Sequence, residues 1–539
     1  VLDPHRRSYR PLIMGHRAAV ASNHPAATEA GLAMLRAGGH AADAAAAIAL
    51  ALGVAEPFMS GLGGDGFYHV WDAGTGRGHV HNGSGTAPAG ATSGRYPDGM
   101  PGVGPGAIAT PGSLAGIASM HAAHGVLPWA ELCRPAIELA QQGVPVGHTY
   151  RRFARLMRAR LLADPRSSAA FLRDGEVPAL GELLMQPALA ETLATIAEDG
   201  AESFYRGPLA RRLAAGLDEA GALVTQADLG AFEAEVQAPI RISYRGFDIC
   251  QTPPNSTGFV LLQELKIVEH FDLATLGEGS AALLHLLVEA KKRAFLDRER
   301  HATDPRFAPV PLERLLSDAH AAELAAGIDQ QRAAAIPLNI PAPNDGNTTY
   351  FCAIDAAGNA VSAIQSLNSP FGSGVTAGDT GVLMNNRMTC WHLDPAHSNA
   401  LRPGKRVRHT MNAPMILKNG RPWALLGTPG ADNQVQINLQ TVVSLIDLGL
   451  DPQQIAEAPR WSSSQPGQDA NWPHAGDDAL TLEQGFPAET LDNLRARGHQ
   501  LKIVPPLEGP CSVACIRVLD NGVRMAGSDP RRDGWAGAF

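Results

Sequence analysis

Residues 345–350 read Asp-Gly-Asn-Thr-Thr-Tyr, and here the sequence could do chemistry. A flexible segment ends in a hydroxyl residue, Thr348, at the head of a β-rich run, Thr348 to Ile354. The hydroxyl can attack the carbonyl of Asn347. The amide then becomes an ester, and water releases it between Asn347 and Thr348. The new terminal residue carries a nucleophile and, on the same backbone, an α-amine with a pKa of about 7.7–8.0, close enough to neutrality to act as general base. A threonine hydroxyl needs that help because it is a weak nucleophile at pH 7. Asn-Thr-Thr before a strand is common in itself, so the case depends on what accompanies it.

The elements that must position Thr348 follow from pattern. His24 to Ala37 reads as a helix with Pro25 in its first turn and Gly38-Gly39 at its end. Asp43 to Leu52 reads as a second, Ala-dense buried helix. Ser60 to Trp71 is a glycine turn feeding a strand. Its Gly61-Leu62-Gly63-Gly64-Asp65-Gly66 run lacks the Lys-Ser/Thr that would follow in a phosphate loop, so it is expected to be a packed turn beside the site. Helical segments are expected over 105–145 and 180–235, a strand from Tyr244 to Thr252, a turn at Pro253 to Gly258 and a long helix from Ala281 to Arg300. Residues 320–346, rich in Ala and Pro, are the best linker. Beyond it, Thr348 to Ile354 and Val361 to Leu367 form a hairpin. Val382 to Met384, Met415 to Leu417 and Trp423 to Leu426 are further strands, Val435 to Leu448 is a helix, and Cys511 to Val518 with Val523 to Gly527 is a final hairpin. There is no internal repeat.

Bulk composition narrows the function classes. The chain has 539 residues, 45% hydrophobic and 18% charged, with a formal net charge of −9. That is a globular composition with ample length for a large core. The acidic balance disfavours a non-specific nucleic-acid binder. The cluster Arg402, Lys405, Arg406, Arg408 is a dense basic stretch, and its simplest reading is a solvated loop. Six scattered cysteines lack a CxxC and read as core thiols in a reducing compartment. The most apolar stretch, Ala41 to Val54, is too short to cross a bilayer. The cytoplasm is therefore expected, or the periplasm if a leader has been trimmed.

A set of ordered motifs lifts Thr348 above coincidence. Nearly the whole chain resembles the γ-glutamyltransferases, a family of N-terminal-nucleophile hydrolases. The resemblance begins with the early helices, Glu56-Pro57, the Ser60 to Phe67 turn, Thr110-Pro111-Gly112, and Tyr244-Arg245-Gly246 with Pro253-Pro254. It strengthens from TTYFCAIDAAGNAVSAIQSLN through FGSGVTAG (Phe371 to Gly378), NNRM (Asn385 to Met388), GTPGAD (Gly427 to Asp432), APRW (Ala458 to Trp461) and GSDPR (Gly527 to Arg531).

The resemblance implies an α+β fold, a four-layer αββα sandwich. It also implies a large subunit of residues 1–347 and a small one of 348–539, interlaced as one unit. Thr348 would be the nucleophile, with Thr349 beside it. Ser366 stands where the family has a supporting threonine hydroxyl. Asn368 matches an asparagine that contacts the terminal amine and the substrate. Gly430 and Ala431 fall where two backbone N–H groups serve the oxyanion, each such donor being worth roughly 2.7–4 kcal/mol in the transition state. No metal or organic cofactor is implied.

The substrate pocket departs from the family. Ser84 stands where an arginine would hold an α-carboxylate, and Cys390 where an aspartate would hold an α-amine. Arg387 replaces a nearby glutamine, while His409 and Thr410 replace two serines. The segment between Cys390 and His409 is short, leaving little room for a lid loop. A free amino-acid head group is then expected to bind badly, since its two charged partners are gone. A small anionic amide fits better. The constellation resembles a branch that includes oxamate amidohydrolases, with Arg387 and His409 reading the carboxylate and amide. The alternatives are γ-glutamyl transfer or glutathione hydrolysis, a cephalosporin-type acylase, and a non-catalytic binding protein. The expected partners are a small amide substrate and the precursor's own two subunits, with no nucleic acid or membrane; a homodimer is left open.

Overall fold

The computed structural model of the chain describes residues 8–336, 338, 347–474 and 476–539, with Asn347 described by its backbone alone. Two seven-stranded sheets, antiparallel at every pairing, lie face to face. The first runs, edge to edge, Trp535–Ala538, Ala19–Ser22, Asn347–Ile354, Ala360–Asn368, Asp65–Asp72, Arg77–Gly83 and Glu235–Gln237. The second runs Ile13–Gly15, Arg524–Ser528, Ala514–Val518, Arg421–Gly427, Met415–Lys418, Phe247–Gln251 and Ile240–Tyr244.

Side-chain parity turns these sheets into layers, because alternate residues of a strand face opposite ways. In Asn347–Ile354, Tyr350, Cys352 and Ile354 pack between the sheets with Ile364, Met415, Leu425 and Ile516. Phe351 and Ala353 pack outward with the helices Pro25–Arg36 and Ala41–Ala55. In Arg421–Gly427 the same alternation holds: Leu425 faces inward, while Ala424 and Leu426 meet the helices Gly258–Val268, Ala281–His301 and Asn433–Ile446. The result is helix, sheet, sheet, helix, as expected. Both sheets contain strands from either side of position 348, so neither segment could complete a sheet alone.

The helices that buttress the first sheet begin where the sequence directs. His24 caps Pro25–Arg36 by accepting from the Ala26 N–H (3.2 Å), with Pro25 in the first turn. His40 and Asp43 form a capping box on Ala41–Ala55. That helix is buried along almost all its length, and its small side chains let it lie against the sheet.

Four expectations need correcting. Tyr244 to Thr252 is not one strand: Ile240–Tyr244 and Phe247–Gln251 form a hairpin, turned by Arg245 (φ 51°) and Gly246 (φ 81°). Val382 to Met384 makes only isolated bridges, from Leu383 to Thr376 and from Met384 to Gly63. The proposed linker is helical over Asp318–Ala326; its last part, 339–346, lies outside the described residues. Lys405, Arg406 and Arg408 are buried rather than solvated. Each finds acceptors inside the fold: Ser398 and Ala400 carbonyls for Lys405, Glu235 for Arg406 and Glu299 for Arg408.

Candidate active site

Thr348 sits at the start of the strand Asn347–Ile354, only 3% exposed. The hairpin register pairs Thr349 with Gln365 and Asn347 with Asn368, with an irregularity between them. Thr348 therefore falls opposite Ser366, and its Oγ1 donates to Ser366 Oγ at 3.2 Å. Ser366 Oγ also accepts from the Asn368 N–H at 2.7 Å. The serine hydroxyl thus ties the threonine side chain to the end of the partner strand. Arg532 Nη1 donates to the Thr348 carbonyl at 3.1 Å, fixing the backbone too.

Thr349 faces the other way, toward the helical layer. Its Oγ1 donates to Glu56 Oε2 (2.8 Å) and accepts from Asn23 Nδ2 (3.1 Å). Ser512 in turn donates to Asn23 Oδ1 at 2.7 Å. Burial pushes the Glu56 carboxyl up to about 7, against the opposing pull of Arg532 and the Thr349 hydroxyl. The glycine turn packs directly on this hairpin. A Cβ at Gly64 would lie 2.3 Å from the Ser366 carbonyl, so only glycine permits the approach.

The 427–431 turn lies over the same strand: a Cβ on Gly427 would meet the Tyr350 ring at 2.3 Å. Gly430 (φ 118°) and Ala431 (φ 48°) both have positive φ. Their carbonyls accept from the Asn433 and Gln434 N–H groups as the next helix begins. Among the described residues, their own N–H groups donate to no protein acceptor. Asp432, next in sequence, is anchored by Arg298 Nη1 and by the Ala470 N–H (2.6 Å).

Asn368 (φ 81°) links Thr348 to the pocket residues. Its Oδ1 accepts from Arg387 Nη1 at 2.9 Å, and its Nδ2 donates to Asn471 Oδ1 at 2.9 Å. Arg387 is 2% exposed and forms a buried ion pair with Asp65 through Nε (2.7 Å). Its Nη2 has no partner among the described residues. The guanidinium holds the Asp65 carboxyl below the ordinary range despite burial, helped by His409 and the Gly85 N–H.

His409 is committed to the protein. Its Nε2 faces Asp65 Oδ2 at 3.4 Å, and Nδ1 accepts from the Met411 N–H at 3.2 Å. Burial and Arg387 lower it to about 4, so it is neutral at neutral pH. Cys390 Sγ lies 3.6 Å from Arg387 Nη1 and 3.1 Å from Asn471 Oδ1; burial raises its thiol, so it is uncharged as well. Ser84 is buried in a cluster with Asn82 and Asn255 (2.7 and 3.0 Å) and meets the pocket only through its neighbour Gly85. Thr410 is buried beside His409.

Sequence reasoning thus brought together Thr348, Thr349, Ser366, Asn368, Arg387, Cys390 and His409. It missed Glu56, Asp65, Arg298, Asn471 and Arg532 as parts of the same assembly. Glu56 and Asp65 lie inside motifs already singled out, and a carboxylate among glycines and apolar residues was the available signal. Asn471 gave none.

Among the described residues, two groups could converge on a metal. In His285–Glu289–His499 the carboxylate is taken by Lys292 and Arg293, and the two histidines bond each other at 2.8 Å. In Glu299–His392–His397 the two imidazoles stack 3.5 Å apart at 7°, so no point lies in both ring planes, and Arg408 holds the carboxylate. Neither suits an ion.

A hydroxyl at a strand head between two antiparallel sheets, supported by a second hydroxyl, with two unbonded N–H groups on a turn that packs against the same strand, is the arrangement of an N-terminal-nucleophile hydrolase. Comparison bears this out. Residues 27–539 match the family model for gamma-glutamyltranspeptidase, and the chain belongs to that family. It is 38% identical over 534 residues to the glutathione hydrolase-like YwrD proenzyme of Bacillus subtilis, covering 97% of this chain and 99% of that one. It is 34% identical over 533 residues to the oxamate amidohydrolase proenzyme of Klebsiella pneumoniae, covering 97% and 98%. The crystal structure of a cephalosporin acylase from Bacillus halodurans superposes with a TM-score of 0.90 at 34% identity, covering 100% and 99%. The chain is therefore an enzyme, a hydrolase of the γ-glutamyltranspeptidase family. Among the described residues no helix is long and apolar enough to cross a membrane.

Proposed function

We propose that the chain cuts itself between Asn347 and Thr348, and that the freed Thr348 hydrolyses a small anionic amide such as oxamate. Residues 1–347 then form a large subunit and 348–539 a small one, held together by their shared sheets. The observation that carries the substrate reading is Arg387: a buried guanidinium, bonded to the Asn368 amide, with Nη2 unspent. A buried donor without a partner is costly unless a ligand supplies the acceptor. A carboxylate does so with a charge-assisted bond.

On this reading the steps are these. The terminal amine takes the Thr348 Oγ1 proton as that oxygen attacks the amide carbon. The Gly430 and Ala431 N–H groups receive the developing oxyanion. Ammonia leaves with the transferred proton, and water then hydrolyses the Thr348 ester. Ser366 orients the attacking oxygen. Asp65 and His409 act through Arg387, one holding its charge and the other holding Asp65. Cys390 and Ser84 offer no charge to an amino-acid head group, which speaks against glutathione as the substrate.

The test is twofold. Denaturing electrophoresis and intact mass of purified protein are expected to show two fragments split after Asn347, and Thr348→Ala a single uncut chain. Hydrolysis of oxamate is then compared with that of a γ-glutamyl anilide. A Thr348→Ala chain that still splits at this bond overturns the self-cleavage. Strong turnover of the anilide with none of oxamate overturns the substrate.

A further inference from the structure

We propose that Asn471 determines substrate size, its side-chain amide closing the acyl pocket and offering a second donor to the substrate carboxylate. This rests on the reading of Thr348 as nucleophile and of Arg387 as anion receptor.

Asn471 belongs to the irregular loop 465–474, far in sequence from the other pocket residues, and is 3% exposed. Three polar groups surround its Oδ1: Asn368 Nδ2 at 2.9 Å, Thr389 Oγ1 at 2.8 Å and Cys390 Sγ at 3.1 Å. Asn368 sets which end of the amide is oxygen: Arg387 bonds the Asn368 oxygen, so the group facing Asn471 is the Asn368 nitrogen, a donor that needs an acceptor. Among the described residues the hydrogen bonds of the Asn471 side chain all go to Oδ1 and none to Nδ2, and Arg387 Nη2 is buried without a partner. Both side chains are anchored on one group. Arg387 bonds the oxygen of the Asn368 amide, and Asn471 bonds its nitrogen. A carboxylate lying against Asn368 thus has an unspent donor group to either side.

The loop is also tied to both walls of the site. Lys291 Nζ bonds Gln465 Oε1 (3.0 Å) and Gln468 Oε1. Arg298 Nη2 donates to the Gln468 carbonyl at 2.6 Å. The Ala470 N–H donates to Asp432, the residue after Ala431, and the Trp472 N–H donates to the Thr389 carbonyl at 2.6 Å. Residues 470–472 therefore bridge from the turn carrying the free N–H pair to the turn carrying Arg387 and Cys390. That bridge limits the distance between the reacting carbonyl and the carboxylate it can accommodate. It explains how a chain with a short Cys390–His409 segment can still close its pocket.

The experiment uses the cut enzyme, with oxamate and the homologous monoamides of longer dicarboxylic acids as probes. For Asn471→Ala the KM for oxamate is expected to rise roughly ten- to a hundredfold, the loss of one hydrogen bond to a charged group, with kcat changed little. The longer monoamides are expected to lose less or to gain, so the ratio of kcat/KM between short and long substrates falls. Asn471→Asp keeps the accepting oxygen and the size but replaces the donor with an anion. It is expected to lose at least as much on oxamate, and it serves if the alanine variant does not fold. A cut, active variant whose short-to-long ratio equals that of wild type overturns the role of Asn471 alone. A wild-type chain that stays uncut or hydrolyses none of these amides overturns the underlying reading as well.

Discussion

Arg387→Lys separates substrate binding from scaffolding. The guanidinium does two things within the fold: Nε neutralises Asp65, which is fully buried, and Nη1 holds Asn368. Removing the charge with methionine would leave Asp65 unpaired at a cost of about 3–5 kcal/mol, and any kinetic loss would be confounded with unfolding. Lysine keeps a cation within reach of Asp65 but has a single ammonium, so it cannot also present a planar second donor to a substrate. A charge-assisted hydrogen bond contributes about 1.5–3 kcal/mol, and about 1.4 kcal/mol is tenfold in affinity. The KM for oxamate is therefore expected to rise by roughly one to two orders of magnitude, with cleavage after Asn347 intact on denaturing gels. Steady-state kinetics on the cut variant decide the matter. A KM within threefold of wild type, in a folded and processed protein, refutes Arg387 as the anion receptor. A fall in kcat with KM unchanged gives the arginine a different task, that of holding Asn368 beside the nucleophile.

Two further outcomes follow from the same geometry. Ser366→Ala removes the hydroxyl that fixes Thr348 Oγ1, and both self-cleavage and turnover are expected to slow by about fivefold, from the loss of one hydrogen bond of about 1 kcal/mol; an unchanged cleavage time course on gels refutes that role. Glu56 predicts a pH dependence of stability: its carboxyl, near 7 in the fold, ionises near 4.5 when unfolded, so between those values the unfolded state holds fewer protons. The stability it contributes is complete below pH 4.5 and is lost as pH rises through 7, a total of about 3 kcal/mol. The difference between wild type and Glu56→Gln in denaturant midpoint at pH 5 and pH 8 reads it, and parallel shifts in the two proteins would rule it out.

What could be read from the sequence depended on whether a residue's role is local. The hairpin around Thr348 was legible because alternation and the Asp355 to Asn359 turn specify it within two dozen residues, and parity alone puts Thr348 and Ser366 on one face. The αββα layering was legible through the family resemblance, and the strand alternation agrees with it. The charged run in Ala281–His301 was not. Lys291, Lys292, Arg293, Asp297 and Arg298 have the look of a solvated helix face, yet all five are buried. Their burial is tolerable because each charge meets a partner inside the fold, some on the same helix and others in distant segments. Glu289 takes Lys292 and Arg293, the 465–468 side chains take Lys291, and Asp432 takes Arg298. The same holds for Lys405, Arg406 and Arg408. A charge pattern shows where ions lie along the chain and not what they face. This enzyme uses buried ions to fasten the 465–474 loop and the 427–432 turn to one helix. The parts of the site that set its shape are therefore the parts whose sequence looks most like ordinary surface.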